Sequence, residues 1–207
     1  MISRHDLVWL TDAGWHAAIA QSGNAELERW RKHGWPAIGT RRPPDLGPDC
    51  VSVGIPLPPS ADGSKGRVAV TLERVHVAAS SRPLPLPELV HWAPHAWRGS
   101  LHSLASKVRL RGYGSLAMQA LTGLHYLRPA SDIDVLFAPA SQRELDEGLQ
   151  ALSACPLPLD GEIQFPGGAA VAWREWLNAT ATGERVLVKA PDGVRLEAAA
   201  VLMATLA

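Results

Sequence analysis

The chain has 207 residues, enough for one large domain or two small ones with a sizeable core. Hydrophobic residues make up 46% and charged residues 19%, which excludes an intrinsically disordered chain. The 20 Lys and Arg balance 20 Asp and Glu, so no general electrostatic attraction to nucleic acid or to an anionic membrane is expected.

The 2 cysteines, Cys50 and Cys155, lie far apart and lack metal-ligand spacing. A disulfide framework or a zinc site is not expected, and a reduced cytoplasm is the natural compartment. The first ten residues contain Arg4, His5 and Asp6, unlike a signal peptide, and no apolar run reaches the roughly eighteen residues of a membrane span.

Residues 1–81 read as a separate N-terminal unit, a small mixed α/β or mostly β module. LVWL at Leu7–Leu10 suits a short buried strand. Asn24–His33 starts acidic and ends basic, which matches the helix dipole. Trp35–Ile38 begins an extended segment. Val51–Ile55 and Arg67–Val77 read as strands on either side of a Pro-, Gly- and Ser-rich loop, Pro56–Gly66. Arg41 and Arg42 could grip a phosphate or form a solvated pair. His5 and Asp6 could face a site or anchor the first strand.

SSRPLPLP at Ser80–Pro87 reads as an extended linker. Residues 82–207 then form the second domain. Leu89–Trp97 carries His91, Trp92, His95 and Trp97 and reads as a helix that packs its tryptophans. KVRL at Lys107–Leu110 alternates charged and apolar residues, as a strand with one buried face does, with Lys107, Arg109 and Arg111 on the other face. Those cations could steady phosphate charge or simply face solvent.

Gly112 and Gly114 end that strand. Ser115 is a suitable N-cap for the apolar run Leu116–Leu121, and Gly123 is a stop signal. A strand, a Gly114-Ser115 turn and a helix start together present unpaired backbone N–H groups at the positive end of a helix dipole, an arrangement that favours phosphate. Arg128 sits in the loop that follows. Next, Asp132 and Asp134 stand two apart, so both side chains leave the same face of a strand continuing as Val135-Leu136-Phe137. Side-by-side carboxylates repel, unless solvent or a divalent cation relieves them. Mg²⁺ takes oxygen ligands, commonly one or two carboxylates together with substrate phosphates.

Ser141–Leu152 reads as a helix covering the sheet, broken at Cys155–Pro158. Leu159–Phe165 (LDGEIQF) reads as a strand ending in the Pro166-Gly167-Gly168 turn, with Val171–Trp173 as its hairpin partner. Arg174–Asn178 starts a helix, Glu184–Lys189 is a strand, and Leu196–Leu206 closes as an apolar helix. Lys189, at the strand end, could meet a phosphate or pair with an acid.

Gly-Ser, a helix, then Asp-x-Asp on the next strand resembles the nucleotidyltransferase superfamily. The longer wording, GYGSLAMQALTGLHYLRPASDIDVLF with RHDLVWL before it and LDGEIQFPGGAAVAWREW and VLVK after it, resembles the malonate decarboxylase holo-acyl-carrier-protein synthases, or phosphoribosyl-dephospho-CoA transferases. The resemblance runs over nearly the whole chain. It implies an α+β protein whose nucleotidyltransferase-like C-terminal domain is a mixed sheet with flanking helices. It implies a third carboxylate on a later strand, for which Glu162 is chosen with Asp160 as the alternative. Catalysis and metal binding then fall to Asp132, Asp134 and Glu162, and substrate binding to Gly114, Ser115, Arg111 and Lys189. The implied cation is Mg²⁺ or Mn²⁺. The implied substrate is triphosphoribosyl-dephospho-CoA, and the implied acceptor is a serine of the acyl carrier protein subunit of malonate decarboxylase. Two other functions share the fold: transfer to another acceptor, such as the citrate lyase carrier protein, and a non-catalytic nucleotide-binding module.

Overall fold

A computed structural model describes all residues except Met1, Pro44, Ala61 and Asp192. Met1 opens the expected N-terminal unit and Ala61 belongs to the expected Pro56–Gly66 loop; both lie outside the described residues. The chain forms two compact units: Met1–Pro83 with Leu121–Tyr126, and Leu84–Ala120 with Leu127–Ala207.

The first unit is an antiparallel sheet of β1 (Leu7–Leu10), β2 (Ala37–Gly39), β3 (Cys50–Pro56), β4 (Arg67–Glu73) and β5 (Val77–Ser81), in the order β4-β3-β2-β1-β5. Two helices, α1 (Asp12–Ser22) and α2 (Leu27–His33), belong to it. Its core gathers Val8, Trp15, Leu27, Trp30, Val53 and Ile55. Helix α1 goes unannounced in the sequence reading because its apolar positions are mostly short alanines, with Trp15 and Ile19 as the large ones. Its ends are nonetheless signalled: the Thr11 hydroxyl accepts from the Gly14 N–H, and Gly23 closes it in the left-handed region. The expected strand Arg67–Val77 is broken by a 3-10 turn at Arg74–His76. Asp6 is buried and accepts from the Ser3 N–H at 2.7 Å, so it anchors the first strand's entry. The Arg42 guanidinium donates to the Leu46 and Gly47 carbonyls and closes its own loop. Tyr126 donates its hydroxyl to the Pro56 carbonyl at 2.7 Å, and burial pushes that phenol well above its ordinary pKa.

The second unit carries a 7-stranded mixed sheet in the order β12-β11-β10-β9-β8-β7-β6. Its strands are β6 (Leu84–Pro85), β7 (Leu110–Tyr113), β8 (Ile133–Phe137), β9 (Leu159–Gln164), β10 (Ala170–Ala172), β11 (Arg185–Ala190) and β12 (Gly193–Ala198). The β8–β9 pair is parallel and the others are antiparallel. A parallel neighbour needs a crossover, and helix α6 (Gln142–Ala154) makes it. The remaining helices are α3 (Leu86–Leu89), α4 (His95–Lys107), α5 (Gly114–Thr122), α7 (Trp173–Thr182) and α8 (Ala199–Met203).

One sheet face carries Leu110, Ile133, Val135, Phe137, Leu159 and Ile163 into a core with Leu101 of α4, Leu145 and Leu152 of α6 and Trp176 of α7. Each fully buried side chain of this kind contributes about 1.5–3 kcal/mol. Helix α6 presses hardest on the sheet at Gly148, where any Cβ would overlap the Phe137 ring. Its start is capped from both sides: the N-cap Ser141 hydroxyl accepts from the Glu144 N–H, and the Glu144 carboxylate reaches back to accept from the N–H of Ala140, one residue before the cap.

Three expectations are corrected here. Leu84–Pro85 is an edge strand paired with β7 rather than part of a free linker; proline is tolerated at a sheet edge. The strand expected at Lys107–Leu110 starts later, because α4 continues to Lys107, and Arg109 leaves the sheet to pair with Glu144 at 3.2 Å. The closing apolar helix is preceded by β12, since Val194 and Leu196 alternate with Arg195 and Glu197 and pair along β11.

Gly148→Ala is expected to destabilise the protein by about 1–3 kcal/mol through overpacking against Phe137, read from the urea midpoint. The Ala140 N–H, and then Arg109, hold the Glu144 carboxyl below its usual range. A depressed acid stabilises the fold above its unfolded pKa and loses that contribution as the pH falls through its folded pKa. Glu144→Gln is therefore less stable than the parent at neutral pH, and urea titrations at successive pH values should show the gap closing on acidification.

Candidate active site

The other face of the sheet is polar at its centre. Directly opposed residues in neighbouring strands share a face. Asp134 opposes Tyr113 on β7 and Asp160 on β9; Leu136 opposes Arg111 and Glu162; Glu162 opposes Ala172; and Gln164, Ala170 and Lys189 align across three strands. Arg111, Asp134, Asp160, Glu162 and Lys189 thus rise from one surface.

Asp132, Asp134 and Asp160 each offer a carboxylate oxygen within 4.8 Å of the others. Asp132 and Asp160 are exposed and Asp134 is half-buried. Two backbone ties hold the loop that delivers Asp132. Arg128 donates its N–H to the Ser131 hydroxyl at 2.9 Å, and Ile133 donates to the Pro158 carbonyl at 2.8 Å, which stitches the start of β8 to the entry of β9. Arg174, stacked on Trp173, donates to the Leu159 carbonyl at 3.0 Å and steadies the same entry from α7.

Two glycines make the approach possible. Gly161 has φ 142°, and a Cβ there would overlap the Val135 carbonyl of β8. Gly114 has φ 65°, and a Cβ there would run into the Asp134 carboxylate. Both are backbone conformations that L side chains rarely adopt. Helix α5 starts at Gly114 itself, so Ser115 lies in its first turn rather than before it. The helix N-terminus therefore sits against Asp134.

Of the two β9 acids weighed for the third carboxylate, Glu162 as the choice and Asp160 as the alternative, Asp160 is the one whose oxygen lies close to those of Asp132 and Asp134. Glu162 does not belong to the group of close carboxylates among the described residues. It is buried, and the Lys189 ammonium lies 2.8 Å from its Oε1. Arg111 and Lys189 flank the acids on the same face, whereas Lys107 and Arg109 do not belong to it. Gly161 and Arg174 were missed as site residues. A glycine between two acids in a strand signals close backbone approach, and that pattern was present in LDGEIQF.

Three carboxylate oxygens at this separation fit a hard divalent cation, which takes oxygen ligands at about 2.0–2.1 Å and completes its shell with water and phosphate oxygens. Without such a charge the three acids repel one another.

Acids on a mixed sheet beside a helix N-terminus define a site suited to a phosphorylated substrate. The chain belongs to the phosphoribosyl-dephospho-CoA transferase family. Residues 85–200 match the family model "Phosphoribosyl-dephospho-CoA transferase MdcG C-terminal domain", and residues 3–83 match the corresponding N-terminal domain model. It is 41% identical to the phosphoribosyl-dephospho-CoA transferase of Bradyrhizobium diazoefficiens, over 83% of this chain and 80% of that one. It is 36% identical to that of Xanthomonas campestris pv. campestris, over 95% of this chain and 94% of the relative. A relative of the same name from Pseudomonas putida is 27% identical over 94% of this chain and 92% of its own. The family makes the chain a transferase. No solved structure matches it. Among the described residues no helix is long and apolar enough to cross a membrane.

Gly161→Ala should push β9 from β8 and separate Asp160 from Asp134. The expected outcome is at least about a tenfold loss of Mn²⁺ affinity by calorimetry, with the far-ultraviolet circular dichroism of the folded protein retained. Unchanged affinity would show that the close approach is irrelevant to the acids.

Proposed function

We propose that the protein is a cytoplasmic, metal-dependent enzyme that moves the phosphoribosyl-dephospho-CoA group from 2'-(5''-triphosphoribosyl)-3'-dephospho-CoA onto a serine of the acyl carrier protein subunit of malonate decarboxylase. In this reading the serine oxygen forms a bond to the α-phosphorus, the bond from that phosphorus to the bridging oxygen breaks, and pyrophosphate leaves. The observation that carries the reading is the meeting of Asp132, Asp134 and Asp160 beside a helix N-terminus, in a chain of this family.

Asp132, Asp134 and Asp160 would hold Mg²⁺ or Mn²⁺, with Asp160 preferred to Glu162 on proximity. When bound, such a cation supplies Lewis acidity toward the phosphoryl oxygens and lowers the pKa of a coordinated hydroxyl. The backbone N–H groups of the Gly114-Ser115 turn bind distal phosphate oxygens at the positive end of α5. Arg111 and Lys189 neutralise charge that grows on the departing pyrophosphate. An aspartate oxygen beside the incoming serine receives its proton as the new bond forms. Residues 82–207 act as the catalytic domain, and residues 1–81 receive the CoA-like moiety or the carrier protein.

Intact-mass spectrometry of the apo carrier subunit, incubated with the protein, the triphosphoribosyl precursor and Mg²⁺, tests this. The expected gain equals the precursor minus pyrophosphate, and Asp132→Ala or Asp134→Ala should reduce its rate by at least about a hundredfold without unfolding the protein. Absence of the gain with a folded protein and a competent carrier would reopen the choice of acceptor; wild-type rates in either aspartate variant would remove the metal site.

A further inference from the structure

We infer that Glu162 is a positioning residue that holds Lys189 in place for a substrate phosphate, and is not a ligand of the metal. This rests on the reading of the acid cluster given above.

Glu162 is 4% exposed and stands out as a buried acid on the polar face of the second sheet. A buried carboxylate is unfavourable unless it is paired and hydrogen-bonded, and here the pairing is a 2.8 Å contact with the Lys189 Nζ. The pair is asymmetric. The glutamate side chain is 5% exposed and the lysine side chain 38%, so the acid is the fixed end and the ammonium the accessible one.

The register explains how the two meet. Lys189 sits on β11 opposite Ala170, while Glu162 sits on β9 opposite Ala172, so the lysine must cross β10 to reach its partner. Both β10 residues on this face are alanines. Their methyl groups leave a shallow track for the lysine's four-carbon stem, which can lie on apolar surface while its head stays wet. A bulkier pair on β10 would send the stem out into solvent.

Direction matters as well as reach. Glu162 follows Asp160 by two positions on the same face, roughly 7 Å along the strand. The ammonium is thereby carried to the edge of the acid cluster and not left at the far end of β11. A lysine ammonium is a point charge with three donors on a flexible stem, and holding that stem in place lowers the rotamer entropy lost when it binds a phosphate. Glu162 supplies that restriction. A metal ligand, by contrast, would have its oxygen among those of Asp132, Asp134 and Asp160.

The test compares the wild type with Glu162→Gln, Lys189→Met, the double variant and Asp160→Asn. For each, calorimetry measures Mn²⁺ binding and then inorganic pyrophosphate binding to the Mn²⁺-loaded protein, and thermal denaturation measures Tm. Glu162→Gln is expected to keep Mn²⁺ affinity within about twofold and to weaken pyrophosphate roughly tenfold or more, the worth of one charge-assisted bond. Lys189→Met weakens pyrophosphate comparably and lowers Tm, because Glu162 is left buried without its lysine. The double variant regains Tm, yet binds pyrophosphate as weakly as Lys189→Met alone. Recovery of both Tm and pyrophosphate affinity in the double variant would mean that the pair is only structural and would overturn the proposal. Loss of Mn²⁺ binding in Glu162→Gln to the level of Asp160→Asn would overturn it by making Glu162 a ligand. Wild-type Mn²⁺ affinity in Asp160→Asn overturns the acid-cluster reading itself, and is told apart because the Glu162 and double variants are judged on pyrophosphate and Tm.

Discussion

At Gly161 the backbone of β9 takes φ 142°, where a side chain would run into the Val135 backbone of β8, and beside this glycine the Asp134 and Asp160 carboxylates come together. Parallel pairing is what places Asp134 directly opposite Asp160. It requires the α6 crossover, and α6 in turn presses its Gly148 onto Phe137 on the other side of the same sheet. The hydrophobic layer beneath therefore holds the register that the acids above it use.

The polar face is electrostatically graded. Three acids crowd the β8–β9 junction, Arg111 lies to one side on β7, and Glu162 with Lys189 lies to the other. Carboxylates this near one another favour a shared cation, and cations at the flanks favour an anion that bridges them. A polyphosphate bound to a divalent metal has that charge pattern. Helix α5, opening at Gly114 against Asp134, adds backbone donors at the same place. The missing Cβ at residue 114 serves both the left-handed turn and the Asp134 carboxylate.

The first unit is built differently. It is an all-antiparallel sheet with two helices and its own core of Trp15, Leu27, Trp30 and strand valines. Asp6 holds Ser3 and Arg42 closes the segment at Leu46–Gly47. The chain's family has a separate model for this part, at residues 3–83. Among the described residues, the group of close carboxylates lies in the second unit.

Sequence alone determined the local order of strand, Gly-Ser, helix and Asp-Ile-Asp, because that order depends on neighbours within a few residues: period-two alternation, caps and glycine punctuation. The α+β class and the family came from the resemblance of the longer segments taken in their order. Asp132 and Asp134 were legible from the same kind of local pattern, being two apart in sequence where β8 begins. Local pattern failed where tertiary pairing overrode it. Leu84–Pro85 looks like linker until β7 supplies its hydrogen-bond partner, and Leu196–Ala198 passes for the start of the closing helix until β11 aligns beside it. The choice between Asp160 and Glu162 could not be made from LDGEIQF, since both acids leave the same face of one strand. Only the tertiary structure separated them: β8 brings its carboxylates to Asp160, while β11, two strands away in the opposite direction, brings Lys189 to Glu162.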